Sequence, residues 1–347
     1  MAEPIRAAIL SFAHYHANFW SQAFLDSPLA EFVGIWDDDI DRGAQAAGRF
    51  GVRFWADLGE LLKACEAVGI CSETVKHADL VEEAVRNQCH VLCEKPLATT
   101  LEDCRRIADV VRRGGITFMQ SFPKRFDPVN HELLRLVREE ELGRTVFARI
   151  RHGHLYGLGP DYAKEWAADP ELAGAGTLLD EGIHGADLLR WLFGEPESVT
   201  AMVSNAALGL AVDDVGVAVY RFPNGMLAEL SSSVAFAAAE NSVEIYGLRG
   251  SAVLSGVDLA SRDVTDRGFL KICKLGEAER RWTVSPLVPG FQTTPRFHQQ
   301  NPLEFLDALS KGTPPPNTVE DGHRAVEMIL AAYRSARSGK VEKISPA

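Results

Sequence analysis

The sequence lacks several features that would place it in a specialised class of proteins. Basic residues are in the minority, since 36 Lys and Arg stand against 48 Asp and Glu, a net charge of −12. Binding to nucleic acid phosphates requires a basic surface, so we expect no nucleic-acid partner. No apolar run approaches the roughly 20 residues of a membrane-spanning helix. The first residues also lack the basic start and long apolar core of a secretory signal, so we expect no membrane association.

Paired cysteine motifs are absent as well. The six cysteines include no C-x-x-C pair, and five of them fall within the first 104 residues. Disulfide frameworks are typical of secreted proteins, whereas reduced and buried thiols are typical of the cytosol. We therefore expect a cytoplasmic protein whose cysteines are unpaired.

Over its first 120 residues the sequence alternates short apolar runs with amphipathic stretches. Strands that alternate with helices of this length predict βαβ units and a doubly wound parallel sheet, which binds ligands at the carboxyl ends of its strands. The predicted strands are Ala7–Leu10, Phe32–Trp36, Ala67–Cys71, His90–Cys93 and Ile116–Met119. The predicted helices are Ala17–Leu25, Arg42–Phe50, Ala78–Asn87 and Leu101–Arg112.

The pattern changes after Phe122. One helix is predicted over 127–140, and the runs that follow alternate with period two, which predicts an open and mainly antiparallel sheet with few helices. The tail is helical again over 302–310 and 319–337. The predicted strands of this second, α+β part are Thr145–Leu155, Ser198–Val203, Val215–Phe222, Met226–Ser233, Asn241–Gly247 and Gly250–Ser255.

The turn after the first strand lacks the glycine fingerprint of a dinucleotide-binding turn. Ser11, Ala13 and His16 stand where three glycines are expected. Ser11 and Ala13 are small enough for the backbone to approach a phosphate, and the helix that follows offers an anion site at its N-terminus. His14 and His16 are candidate donors to that phosphate. The alternative is an exposed polar turn.

The second predicted strand ends at Trp36 and is followed by Asp37. An acid at this position accepts hydrogen bonds from the adenosine ribose and disfavours a 2′-phosphate, so Asp37 predicts NAD rather than NADP as cofactor. The alternative is that Asp37, Asp38 and Asp39 only cap the next helix. Asp38 or Asp39 is predicted to be that cap.

Two further stretches contain residues suited to proton transfer. Lys95 follows the fourth strand, where this architecture binds its ligand, and the proline after it fixes the backbone. The stretch 174–192 predicts a helix on which Asp180, His184 and Asp187 share one face. A carboxylate one turn from an imidazole can orient it as a general base. Taken singly, each residue also has a structural interpretation, as a solvated lysine, a capping acid or a packed histidine.

Together these residues resemble the Gfo/Idh/MocA oxidoreductase family, and the resemblance covers nearly the whole chain. It implies a Rossmann domain over 1–122 that binds NAD, an open α/β substrate domain over 123–293, and C-terminal helices within 294–347 that pack back on the first domain. The matching segments are Asp37, 70–77, 93–98 (CEKPLA), 125–128 (RFDP), the helix at 174–194, and 318–322.

The resemblance also implies individual roles. Lys95 would contact the nicotinamide ribose and the reacting hydroxyl, Asp180 would bind substrate and orient the catalytic groups, and His184 would be the acid/base. Departures from the family are the turn without glycines and Glu73, which stands where the family often has proline. Further cofactor contacts are implied at Ser72, His77 and Glu94.

We therefore predict an NAD-dependent dehydrogenase acting on a secondary alcohol of a sugar, cyclitol or related polyol. Two alternatives remain open: an NAD-dependent glycosidase or lyase with transient oxidation, and a non-catalytic dinucleotide-binding regulatory protein. No metal is predicted, because the pair of histidines at 152 and 154 has no evident third ligand. Candidate substrate contacts are Arg125, His152, His154 and Tyr156.

The second part of the chain also predicts self-association. Its strands alternate apolar and polar residues, and no helical run is long enough to cover both faces of the sheet. An uncovered apolar face is typical of an interface. We therefore predict a homodimer, or a homotetramer built from such dimers.

Overall fold

The computed structural model describes residues 3–237, 241–254, 270–275, 282–284 and 297–345. The chain forms two compact units. The first comprises Met1–Pro123, Glu171–Gly174 and Arg296–Val326, and the second comprises Lys124–Pro170, Ala175–Pro295 and Glu327–Ala347. The C-terminal helices expected to belong to the first domain are therefore divided between the two units.

In the first unit, the described residues form a parallel sheet of five strands in the order β2-β1-β3-β4-β5. Each predicted strand is present, and the ends differ from the predicted ones by at most two residues. Residues of β3 and of the second half of β1 are buried, as in a sheet covered on both faces. The strands are β1 (Ile5–Leu10), β2 (Ala30–Trp36), β3 (Ala67–Ile70), β4 (His90–Cys93) and β5 (Phe118–Gln120).

Helices follow the strands of this unit, and side-chain caps fix where several of them begin. Asp39 accepts a hydrogen bond from the backbone N–H of Arg42 and so caps α2, which confirms the predicted cap. The sequence pattern missed α3, which has only seven residues. The helices are α1 (Ala17–Asp26), α2 (Ile40–Phe50), α3 (Leu58–Ala64), α4 (His77–Arg86) and α5 (Leu101–Gly114).

The second unit begins with α6 (Pro128–Arg138), close to its predicted bounds. Most of the short helix α7 (Pro170–Ala173) falls in the first unit, and the short helix α8 (Thr177–Asp180) falls in the second. The next helix, α9 (Gly182–Phe193), is separated from α8 by a single residue. The one helix predicted over 174–192 is therefore two helices, interrupted at Glu181, whose backbone is still right-handed helical.

Among the described residues, the sheet of the second unit has nine strands in the order β13-β12-β11-β10-β6-β9-β8-β7-β14. Strands β6 and β9 pair in parallel and the other pairs are antiparallel, as the mainly antiparallel prediction required. The sequence missed the last three strands, of which two have only two residues. The strands are β6 (Thr145–Gly153), β7 (Ser198–Ser204), β8 (Val215–Arg221), β9 (Leu227–Ser233), β10 (Ser242–Gly247), β11 (Gly250–Leu254), β12 (Leu270–Lys274), β13 (Thr283–Val284) and β14 (Glu342–Lys343).

Helix α9 packs on the face of the sheet formed by β6 and β9. A Cβ on Gly185 would lie 2.2 Å from Cδ1 of Leu230, so a larger residue at this position would require that side chain to shift. The chain ends with α10 (Phe297–Lys311), which carries Pro302 in its interior, and α11 (Val319–Ser338). No helix in the described part of the chain combines the length and the hydrophobicity needed to cross a membrane.

Candidate cofactor and proton-transfer sites

The turn after β1 adopts a backbone conformation that normally favours glycine. Ser11 has a φ of +70°, in the left-handed region. Its N–H donates to the carbonyl of Trp36 at 2.7 Å, and its hydroxyl accepts from the N–H of Ala13 at 3.2 Å. Side-chain and backbone hydrogen bonds therefore hold a tight turn at the strand end where Rossmann sheets bind their ligand.

Asp37 is buried directly after β2, and its carboxylate has two kinds of partner. The N–H of Phe12 donates to Oδ2 at 2.7 Å. Arg42 donates from Nε to Oδ2 at 2.9 Å and from Nη2 to Oδ1 at 2.6 Å, a bidentate ion pair. Burial opposes the charge of Arg42, but the hydrogen bond to Asp37 and the charges of Asp37, Glu73 and Asp38 together outweigh that effect and raise its pKa. The contact of Asp37 with a ribose stays a prediction.

Arg42, which the sequence reasoning missed, links Asp37 to a wider set of charges. Its Nη1 lies 3.4 Å from Glu73, and its Nη2 lies 3.2 Å from Asp38. Lys76 pairs in turn with Glu73 at 2.8 Å and with Asp38. Glu73, the residue that replaces the family's proline, is therefore one member of a network of alternating charges. The only sequence signal for Arg42 was its position in the first turn of the helix after Asp37.

A cavity of about 480 Å³ in the first unit is lined by this turn and by α1 and α2. Cavities of roughly 300–1,000 Å³ accommodate small molecules and cofactors. Guanidinium groups bind phosphates and stack on aromatic rings. The lining includes the guanidinium groups of Arg42 and Arg49 together with the carboxylates of Asp39 and Asp41, so the cavity is a candidate for the adenosine part of a dinucleotide. The lining residues include Phe12, Ala13, Asn18, Arg42, Gln45 and Arg49.

His14 and His16 are buried, so the alternative of an exposed polar turn is wrong for these two residues. The ring of His16 lies 4.2 Å from that of His14 and 4.0 Å from that of His298. Its Nδ1 is 3.1 Å from Oε2 of Glu94. The two histidines thus belong to a packed group of imidazoles beside a carboxylate, and their contact with a phosphate stays a prediction.

Lys95 is only 2% exposed, so its interpretation as a solvated surface lysine is wrong. The backbone N–H of Lys95 donates to Oε1 of Glu94 at 2.9 Å, and the peptide bond between Lys95 and Pro96 is cis. Burial raises the pKa of Glu94.

His77 lies beneath this loop. Its Nδ1 faces the carbonyl of Pro96 at 2.9 Å and its Nε2 faces that of Ser72 at 3.3 Å. Burial lowers the pKa of His77, which favours the neutral ring. His77 therefore connects the loops that follow β3 and β4. Direct contacts of Ser72, His77, Glu94 and Lys95 with a cofactor stay predictions.

In the second unit, Asp213 fixes the start of α8. Its Oδ1 accepts from the N–H of Gly176 and its Oδ2 from the N–H of Leu178, both at 3.0 Å. The hydroxyl of Tyr333 donates to Asp213 at 2.7 Å. A Cβ at position 176 would lie 2.1 Å from the carbonyl oxygen of Asp213, so only glycine fits.

Helix α8 ends at Asp180 and α9 begins at Gly182, which leaves Glu181 between them. Asp180 is therefore not in the same helix as His184 and Asp187, but the backbone of Glu181 is right-handed helical, and the prediction that the three residues share one face stays a prediction. His184 lies in the first turn of α9, and Asp180 belongs to the preceding helix.

Glu181 forms the centre of a polar cluster that the sequence reasoning did not identify. The hydroxyl of Tyr156 donates to its Oε1 at 2.5 Å. Its Oε2 lies 2.9 Å from Nε2 of His152 and 3.3 Å from Nε2 of His154. Three of the predicted substrate contacts therefore meet at one carboxylate, and the only hint in the sequence was its position next to Asp180.

Asp180 and His184 border this cluster. The hydroxyl of Tyr156 lies 3.2 Å from Oδ2 of Asp180, and the rings of His152 and His184 are 5.0 Å apart. Burial lowers the pKa of His152 to about 4, and the charge of Lys124 acts in the same direction. Burial also raises the pKa of Tyr156, with Glu181 next in effect. The cluster therefore combines a neutral imidazole with a phenol that keeps its proton.

Arg125 is held by Asp187 of α9. Its Nε donates to Oδ2 at 2.9 Å and its Nη2 to Oδ1 at 2.5 Å, and both side chains are buried. This bidentate pair attaches the segment before α6 to the middle of α9. The predicted contact of Arg125 with substrate is not tested by this geometry.

Comparison with known proteins identifies the family. Residues 9–122 match the oxidoreductase family with an NAD-binding Rossmann fold, and residues 131–253 match the GFO/IDH/MocA C-terminal domain. An uncharacterized oxidoreductase of Rhizobium meliloti is 30% identical over 328 residues, which cover 90% of this chain and 91% of that protein. The chain belongs to the Gfo/Idh/MocA family.

Other family members show the same match along the whole chain. The inositol 2-dehydrogenase of Rubrobacter xylanophilus is 28% identical over 333 residues, covering 92% of this chain and 88% of that one. The structure of levoglucosan dehydrogenase in complex with NADH and L-sorbose has a TM-score of 0.87 at 21% identity and covers 100% of both chains. The resemblance to Gfo/Idh/MocA oxidoreductases is thus confirmed, and the protein is an oxidoreductase with an NAD-binding Rossmann domain.

Replacing Asp37 by alanine is expected to shift cofactor preference from NAD toward NADP. The change removes a carboxylate that opposes a 2′-phosphate and releases Arg42, whose guanidinium can bind one. We expect the ratio of kcat/KM for NAD to that for NADP to fall by at least ~10-fold, which corresponds to about 1.4 kcal/mol. Steady-state kinetics with both cofactors measure the ratio.

The control for this experiment is Asp41→Ala, which removes one negative charge from the lining of the same cavity. It should leave the ratio unchanged, because the described ion pairs of Arg42 do not include Asp41. A wild-type preference for NADP, or equal shifts in both variants, would contradict the assignment of Asp37.

Replacing His77 by glutamine is expected to reduce the acid sensitivity of the fold. Because the pKa of buried His77 lies below its ordinary value of 6.5, the unfolded chain binds a proton that the folded chain does not. Stability is therefore lost as the pH falls below that value. The free energy of unfolding should fall less steeply in His77→Gln than in wild type between roughly pH 7 and 5. His131→Gln, at an exposed histidine, should keep the wild-type slope, and a similar slope in His77→Gln would refute this account.

Proposed function

We propose that this protein is an NAD-dependent dehydrogenase for a secondary alcohol of a sugar, cyclitol or related polyol. The observation that carries the proposal is the buried cluster around Glu181, in which imidazole, phenol and carboxylate groups lie within hydrogen-bonding distance of one another. A substrate with several hydroxyl groups offers donors and acceptors to such a cluster. The names of the related inositol 2-dehydrogenase and levoglucosan dehydrogenase support the same substrate class.

Three residues carry the proposed chemistry. His184 removes the proton of the reacting hydroxyl, and in the reverse direction it returns that proton to the carbonyl oxygen. Lys95 stabilises the developing alkoxide, a contribution of roughly 3–4 kcal/mol for a well-placed donor. Asp180 binds substrate and orients the catalytic groups. Bound NAD supplies the hydride acceptor.

The remaining site residues are proposed contacts with the two ligands. Those for the cofactor are Ser11, Ala13, His14, His16, Asp37, Ser72, His77, Glu94 and Lys95. Those for the substrate are Arg125, His152, His154, Tyr156 and Asp180. In the first set, Ala13 lines the cavity of the first unit, and in the second set, His152, His154, Tyr156 and Asp180 lie in the cluster around Glu181.

We also propose a cytoplasmic location. None of the six cysteines forms a disulfide, and five of them are buried. The Sγ atoms of Cys65 and Cys89 lie 3.8 Å apart, in a thiol–thiol hydrogen bond and not a disulfide. Cysteines outside disulfides are typical of a reducing compartment.

The proposed subunit contact is the face of the second-unit sheet that carries exposed apolar side chains. On β8 the residues alternate strictly, and Val217 and Val219 are on the exposed side. Met202 of β7 pairs with Val217 and is 79% exposed. Leu227 of β9 extends the same face. Exposed apolar side chains on one face of a sheet are typical of interfaces, and we propose a homodimer, or a tetramer of such dimers, built on this face.

The reaction is tested with a panel of sugars and cyclitols at alkaline pH, with NADH absorbance as the readout. Wild type is expected to form NADH in proportion to substrate consumed. Substrate loss without net NADH would favour the glycosidase or lyase alternative. Tight NADH binding without any turnover would favour a regulatory protein.

The proposed base is tested with His184→Ala. Its kcat should fall by ~10²–10⁴-fold, as for loss of a general base, while NADH binding measured by titration stays near the wild-type value. His131→Ala, at an exposed histidine of the same unit, should keep wild-type kcat. Near wild-type turnover of His184→Ala across pH would show that the proton acceptor lies elsewhere.

Assembly is tested by light scattering at micromolar concentration. Wild type should have at least twice the mass of one chain, and the double variant Val217→Asp, Val219→Asp should be monomeric, because two buried charges would oppose the contact. Leu248→Asp serves as the control, since this exposed residue lies in the turn between β10 and β11. A monomeric wild type, or a double variant that remains dimeric, would rule out this face.

A further inference from the structure

Two buried thiols are in contact at the amino end of the parallel sheet in the first unit. Cys65 directly follows α3, and Cys89 directly precedes β4. Their Sγ atoms are 3.8 Å apart. Ser72 and Lys95, which are proposed cofactor contacts, follow the carboxyl ends of β3 and β4. The thiol pair therefore lies at the other end of the same strands, and its chemistry does not rest on the proposed function.

The backbone holds the two cysteines next to each other. Strands β3 and β4 pair in parallel, with Ala67 opposite His90. The N–H of His90 donates to the carbonyl of Glu66 at 2.8 Å, which continues this pairing to the residue after Cys65. Neighbouring strands lie about 4.7–4.9 Å apart, and disulfides join residues whose Cα atoms are usually about 4.4–6.8 Å apart. The strand spacing at this end of the sheet is thus in the range that a bridge needs.

The side chains of the two cysteines also converge. Sγ of Cys89 lies 3.3 Å from the carbonyl oxygen of Leu62 and 3.6 Å from that of Cys65. Sγ of Cys65 faces the same Leu62 oxygen at 3.9 Å. A disulfide has an S–S distance of about 2.05 Å, so the sulfur atoms, now 3.8 Å apart, must approach by roughly 1.8 Å. Rotations about the two Cα–Cβ bonds can supply this movement.

The contact makes the two thiols chemically different. The hydrogen bond with Cys65 lowers the pKa of Cys89 against the effect of burial, and the charge of Arg6 also lowers it. The same hydrogen bond raises the pKa of Cys65, with burial next in effect. The thiolate is the nucleophile in thiol chemistry, so Cys89 reacts first while Cys65 keeps its proton.

The pair lies just below the protein surface. Cys89 is fully buried, whereas Cys65 is 6% exposed. The next residue, Glu66, forms an ion pair with Arg6 at 3.3 Å, and both of these side chains are about half exposed. A hydroperoxide is small and uncharged, so it is the class of oxidant that suits a thiol pair at this depth.

We propose that Cys65 and Cys89 form a redox-sensitive dithiol that a hydroperoxide converts reversibly into a disulfide. The Cys89 thiolate first attacks the peroxide, so that an S–O bond forms, the O–O bond breaks, and the leaving oxygen takes up a proton as water or an alcohol. The Cys65 sulfur then attacks Cys89, so that the S–S bond forms and the S–O bond breaks. The hydroxide that leaves takes the proton of Cys65 and becomes water. The two thiols lose two electrons in total, and the peroxide gains them.

A reversible bridge of this kind is compatible with the reducing compartment proposed for this protein. Disulfides in cytosolic proteins are usually transient and catalytic or redox-sensing. Exchange with a thiol reductant returns such a pair to its reduced form. The bridge joins residues 24 positions apart, and the loop that it closes contains β3 and α4.

Oxidation of the folded protein, followed by mapping of its cysteines, tests the proposal. Reduced wild type is treated with a small excess of hydrogen peroxide, the remaining thiols are alkylated, and peptides are identified by mass spectrometry without reductant. Wild type should lose two alkylatable thiols per chain and yield a peptide pair joined through Cys65 and Cys89. Dithiothreitol should restore both thiols.

Single variants separate the roles of the two cysteines. In Cys65→Ser the sulfenic acid of Cys89 lacks the thiol that resolves it, so it should accumulate and be labelled by dimedone. Cys89→Ser should lose the bridge and be labelled less, because burial raises the pKa of the remaining Cys65. Equal labelling of the two variants would contradict Cys89 as the first thiol to react.

The control is Cys104→Ser, which removes another buried thiol of the first unit, on α5. It should form the bridge between Cys65 and Cys89 to the same extent as wild type. The map of wild type decides the proposal even where a variant fails to fold. Wild type that keeps all its thiols, a bridge through other cysteines, or a bridge between Cys65 and Cys89 that forms only in denaturant would each overturn it.

Discussion

The junction between α8 and α9 is the constraint on which the candidate site of the second unit depends. Asp180 ends α8, and Glu181 stands between the two helices with a right-handed helical backbone. Both carboxylates meet the hydroxyl of Tyr156, at 3.2 and 2.5 Å. The residues on either side of this junction are anchored independently. Asp213 holds the start of α8, and Gly185 lets α9 lie closely on β6 and β9.

Buried ionic groups give this unit its rigidity at the site. The pair of Arg125 and Asp187 has two short hydrogen bonds and is removed from water. Breaking a buried pair by removing one partner costs about 3–5 kcal/mol, because the other charge is left uncompensated. The pair therefore holds the segment before α6 against the middle of α9. His184 lies one turn earlier on that same helix.

In the first unit, hydrogen bonds stabilise a tight turn whose left-handed backbone conformation is usually adopted by glycine. Ser11 holds a left-handed backbone and uses its hydroxyl as an acceptor for Ala13. The carboxylate of Asp37 accepts from the N–H of Phe12 and is neutralised by Arg42. The turn is thus tied to the end of β2 by polar contacts that involve side chains. The left-handed conformation of Ser11 costs only about 1–2 kcal/mol for a non-glycine residue, which these contacts offset.

The sequence by itself determined the two kinds of sheet, most strand and helix bounds, and the strand-end positions of Asp37 and Lys95. Those features follow from local periodicity and from the rule that parallel strands present their carboxyl ends at one edge. Tertiary structure alone decided that Arg42 pairs with Asp37, that the helix is interrupted at Glu181, and that Glu181 gathers Tyr156 and two histidines. These contacts join residues distant in sequence, such as Glu181 and His152. A carboxylate beside Asp180 has the same local pattern whether it faces water or a buried cluster, and only the packing of β6 against α9 distinguishes the two.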